Sequence, residues 1–323
     1  MMFIIENLSI SKKDYFNIIK YSKYVLFIAF CVILYQQAVD PYFFARKDGY
    51  LAELTGLNPG INRLSSIYSW VGFLALGLGF VPMFILIIED LEKHKKTIIP
   101  WIIAGILVVF LSKSRWIMLN GLLVFILLFN NNRKRIFQML RYIIIFPIII
   151  IISYLFLNLS GFDPEGIINN RILENEKSNI HHSSAGTRIL AFEAFNRLYW
   201  DKPFLGAGDI RYGMGGIGEQ EYKLRSILKG RSSQIHVGYL SLFYMYGLFG
   251  GFIFLSFLFL LLKKLYSNAK KTQRWAPFLA FFGFFLANWT QVTFSIFEMG
   301  LIIVLIADKF YIQNLNSNSD NFA

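Results

Sequence analysis

The sequence predicts an all-α polytopic membrane protein with about eight transmembrane helices, and three observations carry that reading. Of 323 residues, 55% are hydrophobic and 18% aromatic, only 16% are charged, and the mean hydropathy is +0.49. Soluble domains carry about a quarter charged residues, so this apolar excess must face lipid. Apolar runs that reach or approach the ~20 residues needed to cross a bilayer recur at 24–38, 67–88, 98–111, 116–129, 142–159, 237–262, 276–290 and 294–307. The segments between them alternate in Lys and Arg content, as loops on opposite faces of a membrane do.

The alternation assigns a side to each link. With the N-terminus in the cytoplasm, the cytoplasmic segments carry Lys12, Lys13, Lys20 and Lys23, then Lys93, Lys95 and Lys96, then Arg133, Lys134, Arg135 and Arg141, then Lys263, Lys264, Lys270, Lys271 and Arg274. The short external links hold fewer: Arg46, Lys47 and Arg63, then Lys113 and Arg115, then none between 290 and 294. Both termini are therefore placed in the cytoplasm. The short runs 98–111 and 116–129 suit a tight hairpin. The first run comes late and lacks a small-residue cleavage site, so it reads as an uncleaved anchor. Cys31, the one cysteine, sits inside it, which rules out a disulfide framework or a cysteine metal site within one chain. The net charge of +12 is divided among loops and forms no single stripe, which sets nucleic-acid binding aside.

The predicted organisation is helices 1–5 over residues 1–159, an external loop over 160–236, helices 6–8 over 237–313, and a polar, disordered tail over 314–323. The loop carries charges of both signs, which long translocated segments tolerate. Its length points to function. Within it, residues 185–201 read as an amphipathic helix between membrane and water, with Ile189, Phe192, Phe195 and Tyr199 at helical spacing and Glu193 and Arg197 at i,i+4. Asp201, Lys202 and Pro203 break that helix, and Gly206, Gly208, Gly213, Gly215, Gly216 and Gly218 give the following stretch the composition of a mobile loop.

Three external features are candidates for chemistry. Arg115 closes the sequence Ser112-Lys113-Ser114-Arg115 at a membrane boundary, where a snorkelling anchor is the plainer alternative. Arg188 opens the amphipathic helix, where a solvated charge is the alternative. His236 stands where the long loop re-enters the membrane, and a lone interfacial histidine is commonly structural. His181 and His182 lie in a polar run without carboxylates at ligand spacing, and read as solvated. Glu298, inside the last apolar run, reads as half of a structural ion pair with an arginine such as Arg115. Asn288 and Gln291 read as interhelical hydrogen-bonders, and Trp70, Trp101, Trp116, Tyr239 and Trp289 as interface belts.

These features also carry a family resemblance. Ser232-Ser233-Gln234-Ile235-His236-Val237-Gly238-Tyr239-Leu240, followed by Tyr246-Gly247-Leu248-Phe249-Gly250, resembles the signature of the bacterial O-antigen ligase and polymerase family. Gly186-Thr187-Arg188 through Trp200-Asp201-Lys202-Pro203-Phe204-Leu205-Gly206-Ala207-Gly208 is similar to that family's arginine, aromatic helix and P-x-x-G-x-G stretch, and Ser112-Lys113-Ser114-Arg115 to its S-x-S-R motif. The motifs occur in the family's order and together cover roughly residues 105–262. Val237 stands where an amide or hydroxyl residue commonly follows the histidine, which weakens the case for a ligase in particular. The chain is also shorter than the family's usual length, as if an N-terminal group of helices were absent.

The resemblance implies a GT-C-like fold in the bacterial inner membrane and transfer of a glycan from an undecaprenyl-pyrophosphate carrier to a sugar hydroxyl on the periplasmic face. Partners implied with it are the lipid-linked donor, the glycan acceptor and membrane lipid, with chain-length regulator and flippase proteins. The departing pyrophosphate needs fixed cations, and arginine's planar fork binds phosphate bidentately while staying charged. Arg115 and Arg188 are the candidates, with Arg211 in reserve, and no metal or cofactor is expected. The attacking hydroxyl must lose a proton, for which a histidine's pKa is suited at neutral pH, making His236 the candidate base. Backbone N–H groups at Gly206 and Gly208 are candidates for phosphate or sugar binding, with a plain flexible loop as the alternative.

Two other functions compete. A transporter or flippase of lipid-linked glycans should show broken helices, midplane charges or inverted repeats, whereas here the polar chemistry concentrates on one face. A membrane acyltransferase of the H-x4-D type would need an aspartate at that spacing after His181 or His182, and neither has one.

Overall fold

The computed structural model describes residues 9–40, 43, 66–67, 76–94, 97–112, 114–124, 126, 184–208, 226–228, 235, 237–289 and 299–320. Among these the secondary structure is helical. The helices are α1 (Lys12–Ala38), α2 (Val81–Lys93), α3 (Ile99–Leu111), α4 (Arg115–Gly121), α5 (Ser184–Leu198), α6 (Gly238–Thr272), α7 (Ala276–Ala287) and α8 (Met299–Asp320). Each described apolar run of the sequence coincides with a helix or the start of one, and the fifth run, 142–159, lies outside the described residues. Two of the helices, α1 and α6, are long and apolar enough to cross a membrane.

The chain divides into two compact units: Met1–Leu173 with Leu265–Gly283 and Phe297–Ala323, and Glu174–Lys264 with Phe284–Ile296.

In the first unit, α1 packs against α2 and α3, and α8 against α2. Ser11 starts α1 with a reciprocal cap: its side chain accepts from the Asp14 N–H at 3.1 Å, and the Asp14 carboxylate accepts from the Ser11 N–H at 3.2 Å. The buried residues Tyr15, Ile19, Ser22, Leu26, Ala29, Ile33 and Gln36 repeat at alternating steps of four and three, the seam of a helix packed along its length. Tyr21, Tyr24, Phe27 and Ile28 face outward, an apolar exposed side that suits lipid.

α2 is different, since every residue from Val81 to Leu91 is buried: residues 81–88 are apolar on every face, and Glu89 and Asp90 are buried with them. Pro82 sits in its first turn, where a missing N–H costs nothing. A π-helical turn, Leu76–Phe80, leads into it, and the backbone of Gly79 lies so close to Gly300 of α8 that a Cβ there would collide.

A polar network ties one end of this unit together. The Tyr15 hydroxyl reaches Asp90 Oδ1 at 3.3 Å and the Tyr311 hydroxyl at 2.9 Å, and Lys23 Nζ lies 3.6 Å from Asp90 Oδ2. Asn268 donates to Asp308 at 2.8 Å, and the Arg274 guanidinium stacks over the Tyr311 ring. Glu89 is fully buried, and its Oε1 accepts from the N–H groups of Trp275 and Ala276, the latter at 3.1 Å, at the start of α7. A carboxylate there satisfies unpaired helix donors and meets the positive end of the helix dipole.

Two expectations need correction. Trp116 is no interface residue: it is buried, with its ring against Gly77. The polar composition from Asn314 onward does not end the last helix, which runs to Asp320 with Asn314 Nδ2 donating to the Phe310 carbonyl one turn earlier.

Candidate active site

The site elements of the second unit assemble around α5. The helix forms at the predicted place and ends in a 3-10 turn, Tyr199–Asp201, and the Glu193–Arg197 pair closes at 2.6 Å. Of the aromatic stripe, Phe195 packs partly against the protein core. Leu190, Ala191, Ala194 and Leu198 turn inward, while Ile189 and Phe192 are exposed. Helical spacing fits both stripes, and the small side chains of Ala191 and Ala194 allow the closer approach to a neighbour.

What α5 packs against is informative. Its inward residues share one core with Leu228, Ile235, Val237 and Tyr244. Ile235 and Val237 flank His236 in sequence, so the segment that carries the candidate base is pinned on both sides to the helix that carries Arg188. Val237 thereby has a packing role at the position where the family motif commonly has a polar residue. Arg188 itself is half-buried, with its Nε atom buried.

Beyond this core, α6 is broken. Gly247 has φ 64° and ψ −170°, a conformation no helix contains. In a regular helix the N–H groups of Leu248 and Phe249 would bond to the carbonyls of Tyr244 and Met245, four residues back. Instead residues 203–208 insert between these partners. Leu248 N–H donates to the Pro203 carbonyl at 2.8 Å and Phe249 N–H to the Phe204 carbonyl at 3.3 Å. On the other side of the gap, Ala207 N–H donates to Tyr244 at 2.8 Å and Gly208 N–H to Met245 at 2.9 Å. Two helical bonds are thus replaced by four across an inserted strand.

Gly206 and Gly208 were candidates for substrate binding through their N–H groups. In the structure the Gly206 N–H donates to the Lys202 carbonyl at 2.9 Å and that of Gly208 to Met245, so both are engaged within the protein. The glycine stretch therefore begins as a docked segment with a defined conformation, where composition alone predicts a mobile loop.

In the first unit, the S-x-S-R motif forms the link between α3 and α4. Ser112 and Ser114 are buried, Ser112 Oγ donates to the Val109 carbonyl at 2.6 Å, and Arg115 is the first residue of α4. The two helices pack on each other, as the tight-hairpin reading expects. His236, Arg211, His181, His182, Lys113, Gln291 and Glu298 lie outside the described residues.

Glu89 was missed from sequence because it stands one residue beyond an apolar run, where a solvated charge is expected. No signal in the sequence marks its capping of α7, nearly two hundred residues away.

Residues 98–255 fit the model of a family described as O-antigen ligase. The matched stretch holds the S-x-S-R link, α5, the inserted strand, position 236 and the break in α6. No curated protein matches the chain, and no solved structure does.

Proposed function

Because residues 98–255 fit the O-antigen ligase family model, we propose that the chain is a membrane glycosyltransferase that polymerises undecaprenyl-pyrophosphate-linked oligosaccharide units, with ligation of finished glycan as the nearest variant. The family match carries this reading, and it implies lipid-linked glycan substrates. The packing of α5 against Ile235 and Val237 supports it, because these neighbours of position 236 share one core with the helix that carries Arg188.

In this mechanism Arg188 and Arg115 hold the pyrophosphate of the donor, with Arg211 as a further cation, and a stabilising group of this kind contributes a few kcal/mol at the transition state. His236 takes the proton of the acceptor hydroxyl as it attacks the anomeric carbon, and the lipid pyrophosphate leaves with the bonding electron pair. The site faces the periplasm, and both termini face the cytoplasm. Val237, committed to the apolar core, favours polymerisation over ligation.

Transporters use broken helices to present free backbone groups to cargo. Here the groups freed at Gly247 are taken by residues 203–208 of the same chain. The deciding experiment is chain-length analysis of surface polysaccharide in a deletion strain. Single repeat units on the lipid core support the polymerase, absence of any attached glycan indicates the ligase, and loss of lipid-linked repeats from the periplasmic face would turn the assignment to transport.

A further inference from the structure

The second unit carries an apolar surface that the glycosyltransferase reading leaves unused. Leu205 is 81% exposed, Trp200 70% and Phe204 57%, all within the short turn that links α5 to the inserted strand. Exposed apolar clusters of this kind mark surfaces that meet something other than water.

Continuity with α6 identifies the occupant. From the break toward its C-terminal end, α6 presents Phe249, Phe252, Ile253, Phe257, Phe259 and Leu260 outward, an apolar band that ends at the exposed Lys263 and Lys264. At 1.5 Å per residue the stretch from Gly247 to Lys263 spans about 24 Å, most of the ~30 Å of a hydrocarbon core. The break therefore lies at one boundary of the band and the lysines at the other. The turn is fixed to that boundary by the hydrogen bonds of Leu248 and Phe249 to the Pro203 and Phe204 carbonyls, and the Phe204 ring stacks on Phe249 with centroids 5.8 Å apart. Its apolar side chains extend the lipid-facing surface of α6. Asp201 and Lys202, also exposed, supply the polar edge, and tryptophan beside charged residues is the composition found at headgroup depth.

We propose that residues 200–205 form a membrane anchor, with Phe204 and Leu205 among the acyl chains of the outer leaflet and Trp200 at its headgroups, holding α5 and the inserted strand at the bilayer surface. This anchor is independent of whether the enzyme polymerises or ligates.

The test uses the full chain in phosphatidylethanolamine and phosphatidylglycerol vesicles. Cys31→Ser removes the one native thiol, Leu205→Cys introduces another, and an environment-sensitive fluorophore is attached there. The same label on Lys271→Cys, at the exposed polar end of α6, gives the water-exposed reference. The label at 205 is expected to emit to the blue of the reference and to lose more than half of its fluorescence to lipids that carry a nitroxide near the headgroup. Water-like emission at 205 would overturn the anchor. Blue emission without quenching by labelled lipid would also overturn it, since protein would then cover the turn, and a signal that falls as the protein is diluted in lipid would assign that cover to a second copy. Labelling at Trp200→Cys repeats the measurement if a label at 205 disturbs the strand.

Discussion

Gly206 and Gly247 approach each other so closely that a Cβ on either would run into the backbone of the other, and both have positive φ. One glycine ends the turn that enters the break and the other makes the break. Neither can take a side chain without separating the strand from the helix.

Gly206→Ala or Gly247→Ala is therefore expected to cost on the order of 3 kcal/mol or more, from strain at positive φ together with collision against rigid backbone. Gly208 separates the two contributions. Its φ is +79°, but a Cβ there meets nothing within 4 Å, so Gly208→Ala should cost only about 1–2 kcal/mol. Thermal midpoints of the purified protein in detergent would rank the three, and equal losses at 206 and 208 would contradict the close-approach argument.

His236 and Arg188 should fail in different ways. His236→Ala should remove proton acceptance while leaving donor binding nearly intact, a loss on the order of 10²–10⁴ in turnover. Arg188→Ala should weaken donor binding as well as turnover, and Arg188→Lys should recover only part because it lacks the bidentate fork. Both variants must reach the membrane at wild-type level. Normal glycan transfer by a well-expressed His236→Ala protein would remove the base assignment.

Transfer from a lipid-linked donor is expected to persist in chelator, because the arginines neutralise the pyrophosphate. Complete loss with EDTA, restored by Mg²⁺ or Mn²⁺, would count against the arginine clamp.

Glu89→Ala should leave the first N–H groups of α7 without their acceptor and lower stability by about 2–3 kcal/mol, whereas Glu89→Gln keeps one oxygen in place and should lose less. Thermal midpoints again provide the measurement, and a neutral Glu89→Ala would show that solvent caps α7 equally well.

The proposed external placement of the long loop predicts that a cysteine introduced at position 177 reacts with an impermeant reagent in cells whose inner membrane is intact. Reaction only after that membrane is permeabilised would reverse the topology.

Side-chain pattern made most of the helices legible. The four-and-three spacing of α1, the run that becomes α2 and the Glu193–Arg197 pair are visible because each depends on residue type at short separation. The family likeness was legible in the motifs and their order. The inserted strand was not, because its bonds run between backbone groups that every residue carries, some forty positions apart. Composition marked Gly206 as flexible, whereas the structure uses the same freedom of φ for one fixed conformation. The protein-facing side of α5 was not legible, because Ala191 and Ala194 pack by being small and carry little weight in a hydrophobic pattern.

Chain order gives the mended helix a consequence for biosynthesis. Residues 203–208 precede Gly247, so the ribosome has released the mending strand before it makes the gap that the strand closes. An α6 broken at Gly247 without that segment would leave two carbonyls and two N–H groups without partners at the edge of the hydrocarbon, at several kcal/mol for each that is buried there. With its complement already translated, the helix can leave the insertion machinery closed. A circular permutant that placed 203–208 after α6 would keep every bond of the final structure and lose that protection during synthesis.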